Sequence, residues 1–234
     1  GFDSLTSGWS LSESYIQRED NSSFTNSSDD KFKLVLEGAS YDMVFSSADK
    51  RFHTKIENFF YIANESSSNY NDKGIYWIVR AKDGSSYRFG FYNFSEILSN
   101  QYDYVWRWYL DKVNDSYGNS IFYNYTENPY PNDNGATYLN KIQYNNDRKR
   151  EIEFIYENSN RPEMTSFYDN GNKILKSRRL KDIAIFANSQ LVRRYRLSYG
   201  TFSNNETLSF LANITEFGSD NTTYLPSIKF DYHP

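Results

Sequence analysis

Residues 180–199 read LKDIAIFANSQLVRRYRLSY and contain two alternating apolar runs on either side of a polar turn. The first run ends at Ile183 and Ile185, and the second ends at Tyr195, Leu197 and Tyr199. Strict alternation of apolar and polar residues is typical of a β-strand that buries one face. The segment at 187–190 has the Asn- and Ser-containing composition of a tight turn. This stretch therefore predicts an antiparallel β-hairpin.

The second run belongs to a repeated pattern, apolar-x-aromatic-x-Tyr, in which Leu takes the aromatic place in one copy. Four copies occur, and their last tyrosines are 31, 43 and 33 residues apart. Each copy follows another alternating run and a polar turn, which predicts four successive hairpins. Alternate side chains of a strand share one face, so the last two positions of each copy are expected in the core. These positions are Tyr123 and Tyr125, Phe154 and Tyr156, Leu197 and Tyr199, and Phe230 and Tyr232.

The repeats predict how the chain is organised. Residues 75–234 are predicted to form tandem β-hairpins, and residues 1–74 an irregular N-terminal β region with Ser- and Asn-rich loops, continuous with them. An isolated hairpin leaves its aromatic face exposed, whereas stacked hairpins cover one another. The predicted fold is therefore all-β, with consecutive antiparallel hairpins in a curved, shell-like or solenoid-like sheet. A β-propeller is the rival, but its blades need about twice the strands per repeat. Only residues 94–98 have the composition of a short helix.

The composition indicates a core built from aromatic rings. Of 234 residues, 22 are Tyr and 18 are Phe, and such side chains fit a pleated, half-buried surface. The 26 basic and 30 acidic residues are interspersed, and no basic stripe indicates a nucleic acid as partner. No apolar run reaches the length of a membrane span, and the absence of cysteine excludes disulfides. The first residues lack Met and a signal-peptide pattern, so we expect the chain to be a piece of a longer polypeptide.

Few residues are suited to catalysis, and we predict no catalytic residue and no cofactor. The two histidines, His53 and His233, lack the partners of a catalytic group or a zinc site. Glu151 and Glu153 are spaced to share one strand face, and a polar outer face is favoured over a glycoside hydrolase pair.

Other polar and aromatic groups have similar structural interpretations. Asp- and Asn-rich turns at 132–135, 169–172 and 220–221 lack a full calcium-binding loop, so turn chemistry is favoured and calcium is kept as the alternative. The basic turn at 148–150 and the pair Arg178 and Arg179 are predicted to be solvated turn faces. The alternation of Trp77, Trp106 and Trp108 with apolar residues favours a core or a shell lining over a sugar-stacking platform.

Nine Asn-x-Ser/Thr triplets, about twice the number that chance predicts from this composition, are candidate N-glycosylation acceptors. The acceptor residues are Asn21, Asn26, Asn64, Asn93, Asn114, Asn124, Asn205, Asn213 and Asn221. An Asn- and Ser-rich genome explains the same excess. The triplets favour a secreted or cell-surface location.

Several short motifs resemble a known family. Residues 108–113 (WYLDKV), 115–119 (DSYGN) and 138–144 (YLNKIQY) resemble the YD repeats of Rhs proteins. Together with upstream motifs such as 51–57 (RFHTKIE) and 87–90 (YRFG), in the same order, they resemble more closely the SpvB-type N-terminal region shared with the B component of insecticidal Tc toxins. The resemblance covers nearly the whole chain, although the Asp-Pro-containing self-cleavage motif of Rhs proteins and a toxin domain are absent from it.

The resemblance implies a structural role. In that family such hairpins wind into a hollow β-shell that encloses a toxic C-terminal polypeptide until delivery. We therefore expect a noncatalytic segment of a larger shell or extracellular scaffold, whose partner is the remainder of its own polypeptide, a copy of itself, or an enclosed toxin or cargo. Two other hypotheses stay open: a carbohydrate- or surface-binding β-module with exposed aromatics, and a hydrolase that acts through Glu151 and Glu153.

Overall fold

The computed structural model describes residues 6, 9–19, 30–66, 69–99, 102–164, 166–169, 171–202 and 205–232, without the side chains of 202 and 205–207. The chain divides into two compact units. The barrel unit comprises Ser12–Asn124 and Asp169–Asn172, and the sheet unit comprises Gly1–Leu11, Tyr125–Tyr168 and Lys173–Pro234. Within the described residues, all regular structure is β-strand apart from one short 3-10 turn. The all-β prediction is therefore confirmed.

The barrel unit is a closed sheet. Its strands are β1 (Tyr15–Glu19), β2 (Lys31–Leu36), β3 (Ala39–Ser46), β4 (Arg51–Thr54), β5 (Tyr61–Ser66), β6 (Ile75–Arg80), β7 (Ser86–Phe89), β8 (Glu96–Leu98), β9 (Val105–Asn114) and the first part of β10 (Ser120–Glu127). Strands β1 to β7 pair in chain order, β7 pairs with β9, and β9 pairs with β1. Eight strands thus form a barrel, with β8 and β10 paired to β9 as additions. Residue 74, the predicted boundary, lies between β5 and β6.

A curved or solenoid-like array is the wrong description of the barrel unit. Strand β9 is ten residues long, so that it pairs with β7 near its C-terminal end and with β1 at Arg107, Trp108 and Tyr109. The pairing of β9 with β1 closes the sheet on itself. Closure removes the two edges that an open sheet would leave unpaired.

Side chains fill the interior of this barrel, as the diameter of an eight-stranded barrel requires. The indole rings of Trp77 and Trp108 are 5.7 Å apart edge to face, and Phe52 packs on Trp77 at 4.9 Å. Such edge-to-face arrangements are favourable because the positive edge of one ring meets the negative face of another. The buried cluster consists of Ile16, Leu34, Leu36, Met43, Phe52, Ile62, Trp77, Val79, Tyr87, Phe89, Val105, Trp108 and Leu110.

The short helix predicted at 94–98 is instead a 3-10 turn, Asn93–Ser95, followed by β8. Buried polar contacts explain the difference. The Ser95 hydroxyl donates to the Asp111 carboxylate, and the buried Glu96 carboxylate accepts the backbone N–H of Asp72. These partners lie outside the segment, and they hold it against β9 rather than in a helix.

The sheet unit carries the successive hairpins. Its main strands are β11 (Thr137–Tyr144), β12 (Arg150–Tyr156), β15 (Leu180–Ala187), β16 (Gln190–Phe202), β17 (Asn205–Phe217) and β18 (Ile228–Lys229), paired in this order, and β13 (Phe167–Asp169) and β14 (Asn172–Ile174) form a separate pair. The hairpin predicted at 180–199 is confirmed by the antiparallel pairing of β15 with β16. Its turn residues Asn188 and Ser189 have φ of 51° and 63°, the left-handed conformation that tight hairpin turns use.

Two glycines of the barrel unit test its close packing. Gly90 and Gly118 have φ of 72° and 86°, so alanine is strained at either position by about 1–2 kcal/mol. A Cβ at Gly118 would meet no atom within 4 Å, whereas a Cβ at Gly90 would overlap the indole of Trp108. We expect Gly90→Ala to lower the free energy of unfolding by about 1–3 kcal/mol more than Gly118→Ala does. Urea unfolding measures the difference, and equal losses would contradict the packing of the barrel against Gly90.

Candidate interaction surface on the sheet unit

The strand register gives the sheet unit two different faces. Directly paired residues project to the same side, so Phe154, Ile183 and Tyr195 form one row across β12, β15 and β16. The neighbouring row of Glu153, Ala184 and Arg194 projects to the other side. One face is therefore largely apolar and the other carries charges.

The predicted core positions differ in their burial. Tyr125, Phe154, Tyr156 and Leu197 are buried, whereas Tyr123, Tyr199 and Phe230 are half-buried and Tyr232 is 36% exposed. Tyr123 packs against the core of the barrel unit, while the ring of Phe230 packs on Trp9 at 4.9 Å. The four copies of the pattern thus have different surroundings.

The last tyrosine of three copies makes the same contact. Its hydroxyl donates to a backbone carbonyl of the preceding strand, at 2.8 Å from Tyr156 to Leu139, 2.6 Å from Tyr199 to Leu180 and 2.8 Å from Tyr232 to Leu211. All three leucine side chains are buried. Burial raises the pKa of Tyr199 far above its usual range, with the Glu157 charge as a further cause, so the hydroxyl keeps its proton and remains a donor. We call each such contact a tyrosine clamp.

Removing one hydroxyl tests the tyrosine clamp. Tyr199→Phe leaves the Leu180 carbonyl without this donor, and an unsatisfied buried acceptor costs about 1–3 kcal/mol. Tyr195→Phe is the matched control, since among the side chains of the described residues the Tyr195 hydroxyl accepts a hydrogen bond only from the exposed Arg193, at 3.2 Å. We expect thermal unfolding to show a lower Tm for Tyr199→Phe alone, and an equal shift in both variants would refute the tyrosine clamp.

Glu151 and Glu153 share one face, as their spacing predicts. The Lys141 ammonium lies between them, 3.1 Å from Glu151 Oε2 and 2.9 Å from Glu153 Oε1. The bond to Glu153 is the main cause that raises the pKa of Lys141. Glycoside hydrolysis needs two carboxylates that face an open substrate site, and here both are held by one lysine.

A buried ionic cluster lies beside β17 in the sheet unit. Arg161 is 2% exposed, and its Nη2 donates to Glu163 Oε1 at 2.7 Å. The same oxygen accepts the hydroxyl of Ser209 at 2.7 Å, and the Ser209 hydroxyl is 3.1 Å from that of Thr6. The sequence around residues 161–163 has no periodic signal, so the cluster was not predicted. Its members meet only because residues distant in the chain are packed together.

Neutralising Glu163 tests this cluster. Burial disfavours the charged carboxylate, but hydrogen bonds from Ser209 and Arg161 outweigh burial and hold the pKa of Glu163 below its usual range. Glu163→Gln removes the carboxylate charge that the buried Arg161 contacts, and we expect a loss of about 3–5 kcal/mol in the free energy of unfolding at pH 7. The control Glu216→Gln removes the exposed pair with Arg193 and should cost less than about 1 kcal/mol.

The pH dependence of the same variant has a definite sign. Because the folded pKa of Glu163 is lowered, its stabilisation is complete above the unfolded value of about 4.3 and is lost as the pH falls through the folded value. The stability difference between the wild-type chain and Glu163→Gln should therefore shrink below about pH 4. A constant difference from pH 7 to pH 3 would contradict the lowered pKa.

The prediction that Arg178 and Arg179 are solvated is wrong. Both are buried, and the Arg178 guanidinium lies 4.8 Å from the ring centre of Tyr130. Arg179 donates from Nε and Nη2 to the Glu157 carboxylate at 2.7 and 3.0 Å, and lies 4.3 Å over the ring of Tyr199. The stacked aromatic faces and the paired carboxylate compensate the burial of these charges.

Solved structures share this architecture. The N-terminal domain of the effector protein SpvB from Salmonella typhimurium matches with a TM-score of 0.76 at 16% identity, over 93% of this chain and 90% of that one. This chain has the SpvB-type fold. The TcdB2–TccC3 crystal structure matches with a TM-score of 0.76 at 15% identity, over 99% of this chain, and the Photorhabdus luminescens Tc holotoxin pore with 0.74 at 15%, over 98%.

These matches differ in extent. The chain spans 15% and 14% of the matched chains in the TcdB2–TccC3 and holotoxin structures. No protein-family model matches the chain, and no curated protein matches it either. The resemblance stated from the motifs is confirmed at the level of the fold.

The three tryptophans that alternate with apolar residues in the sequence do not form an exposed platform. Trp77, Trp106 and Trp108 are buried, which confirms the interpretation of their alternation as core. The carbohydrate-binding hypothesis expected several tryptophan rings open to water, and these three are not.

Of the two histidines, His53 contacts the Asp49 carboxylate at 2.9 Å, while His233 lies outside the described residues.

The candidate glycosylation sites have varied surroundings. Asn64, Asn93 and Asn221 are exposed, and Asn114, Asn124 and Asn213 are half-buried. Asn21 and Asn26 lie outside the described residues, as does the side chain of Asn205. Glycosylation stays a prediction.

Within the described ranges, no group of three or more His, Asp or Glu side chains is placed to hold a metal ion. The same residues contain no helix with the length and apolar character of a membrane span.

Proposed function

We propose that the chain is a noncatalytic structural segment of a larger β-shell that encloses or presents another polypeptide. The shared fold supports this proposal, since the matched region is a small part of the long chains in the TcdB2–TccC3 structures. Those structures contain TccC3 together with TcdB2, and one contains Cdc42 as well. The carboxylates of Glu151 and Glu153, held by Lys141, support a structural role for the charged face.

The observation that carries the proposal is the end of the sheet at β18. Among the described strands, β18 pairs only with β17, through Ile214 with Ile228 and Asn213 with Lys229. Ile228 is 63% exposed, and the nearby Tyr224 and Leu225 are exposed as well. An edge with unpaired backbone groups and exposed apolar side chains is a template for another strand.

The partner of this edge is the remainder of the same polypeptide or a second copy of the chain. A further strand on β18 would extend the array of hairpins and cover Ile228. We also propose a secreted or cell-surface location for this shell, because the glycosylation triplets favour it. Enclosure of a toxin or other cargo is part of this proposal and follows from the resemblance.

Light scattering of the 234-residue chain tests the edge. We expect an apparent mass that rises with protein concentration, because β18 pairs between copies when no flanking strand is present. Ile228→Lys places a charge on the edge and should weaken this association by about tenfold, equivalent to 1.4 kcal/mol.

Val192→Lys is the matched control, since Val192 is an exposed β-branched residue of the same unit, on β16 rather than at the edge. Its association should equal that of the wild-type chain. A stable monomer at all concentrations, or equal weakening by both variants, would remove the support that β18 gives to the shell proposal.

A further inference from the structure

A cationic groove lies at one end of the sheet unit. It has a volume of about 460 Å³ and is lined by residues of β15, β16, the segment after β12 and Arg179 just before β15. The residues that matter here are Glu157, Arg179, Lys181, Arg196 and Ser198. Three cations and one carboxylate therefore face the groove, in a chain whose net charge is -4.

The single carboxylate of the groove is already engaged. Both oxygens of Glu157 accept hydrogen bonds from Arg179, which leaves Glu157 unable to neutralise the other two cations. Arg196 donates from Nε to Asp182 at 2.9 Å, but 39% of its side chain is exposed. Lys181 is exposed, and no side chain of the described residues pairs with its ammonium group. The groove thus has an uncompensated positive charge at Lys181, and Arg196 beside it pairs with Asp182 through Nε while part of its side chain stays exposed to a ligand.

The floor of the groove is rigid. Arg179 is buried between Glu157 and the ring of Tyr199, and the Tyr199 hydroxyl is held by the Leu180 carbonyl. A preorganised site loses less conformational entropy when a ligand binds. The same stacking covers one face of the Tyr199 ring with the Arg179 guanidinium, so this face is not available to stack a nucleic-acid base.

We propose that this groove binds an acidic segment of a partner polypeptide, with Lys181 and Arg196 as the contacting cations. An ion pair between exposed groups contributes only about 0.2–1 kcal/mol, so one small anion would bind weakly. A polypeptide with several carboxylates engages both cations at once, and its second contact forms at a high effective concentration. The exposed Lys181 and the partly exposed Arg196 are accessible to such a ligand.

Fluorescence anisotropy with a labelled octaglutamate peptide tests the proposal on the whole 234-residue chain. We expect saturable binding that weakens between 0.1 and 0.5 M salt, about the range over which screening shortens below 10 Å. Lys181→Glu should weaken binding by about tenfold, since one attraction becomes a repulsion. Arg196→Gln should weaken it by about threefold, since only one of the two contacts is lost.

Lys149→Glu is the matched control, because Lys149 is an exposed lysine just before β12, at the opposite end of that strand from the groove. Its affinity should stay within about twofold of the wild-type value, since only long-range charge changes. Octaglutamine should not bind. The proposal would be overturned if octaglutamate did not bind, or if Lys149→Glu weakened its binding as much as Lys181→Glu does. It would also be overturned if free glutamate at the same carboxylate concentration, or an oligonucleotide of eight phosphates, displaced the peptide equally well.

Discussion

The tyrosine clamp is the contact on which the array of hairpins in the sheet unit depends. The phenol of Tyr156, Tyr199 or Tyr232 reaches across to a carbonyl 17, 19 or 21 residues earlier, next to a buried leucine. A shift of one residue in the pairing would move the leucine to the opposite face and take the carbonyl away from the phenol. The hydrogen bond of the tyrosine hydroxyl and the burial of its ring therefore both favour the same pairing register between the two strands. Tyr232 lies beyond the two residues of β18, so this contact holds the chain against β17 past the end of that strand.

The two units differ in whether their sheet has an unpaired edge strand. In the barrel unit, β9 pairs with β1 and closes the sheet. Aromatic and aliphatic side chains fill its interior. In the sheet unit, the strands follow one another without closure, and β18 is paired on one side within the described part of the chain. A closed sheet is stable by itself, whereas an open edge favours the addition of a strand. The edge at which we propose association therefore belongs to the sheet unit.

The charged groups of the sheet unit differ in burial, and the buried ones are held by carboxylate or aromatic partners. Arg161 and Glu163 are buried together, and the loss of either leaves a charge that water cannot solvate. Arg179 is anchored by Glu157 and Tyr199. Lys181 is exposed beside this anchored group and Arg196 is partly exposed there, and these are the cations that we propose for an acidic ligand.

The sequence by itself determined the local elements of this protein. The alternation at 180–199, the turn at Asn188 and Ser189, and the place of Tyr199 at the end of its strand are visible in the sequence, because strand periodicity and turn conformation depend on neighbouring residues. Only the tertiary structure decided that β1 meets β9 across some ninety residues, that Arg161 and Glu163 meet Ser209, and that Arg178 and Arg179 are buried. Such contacts join residues far apart in the chain, and their geometry depends on how whole strands pack, which no local pattern of polarity records.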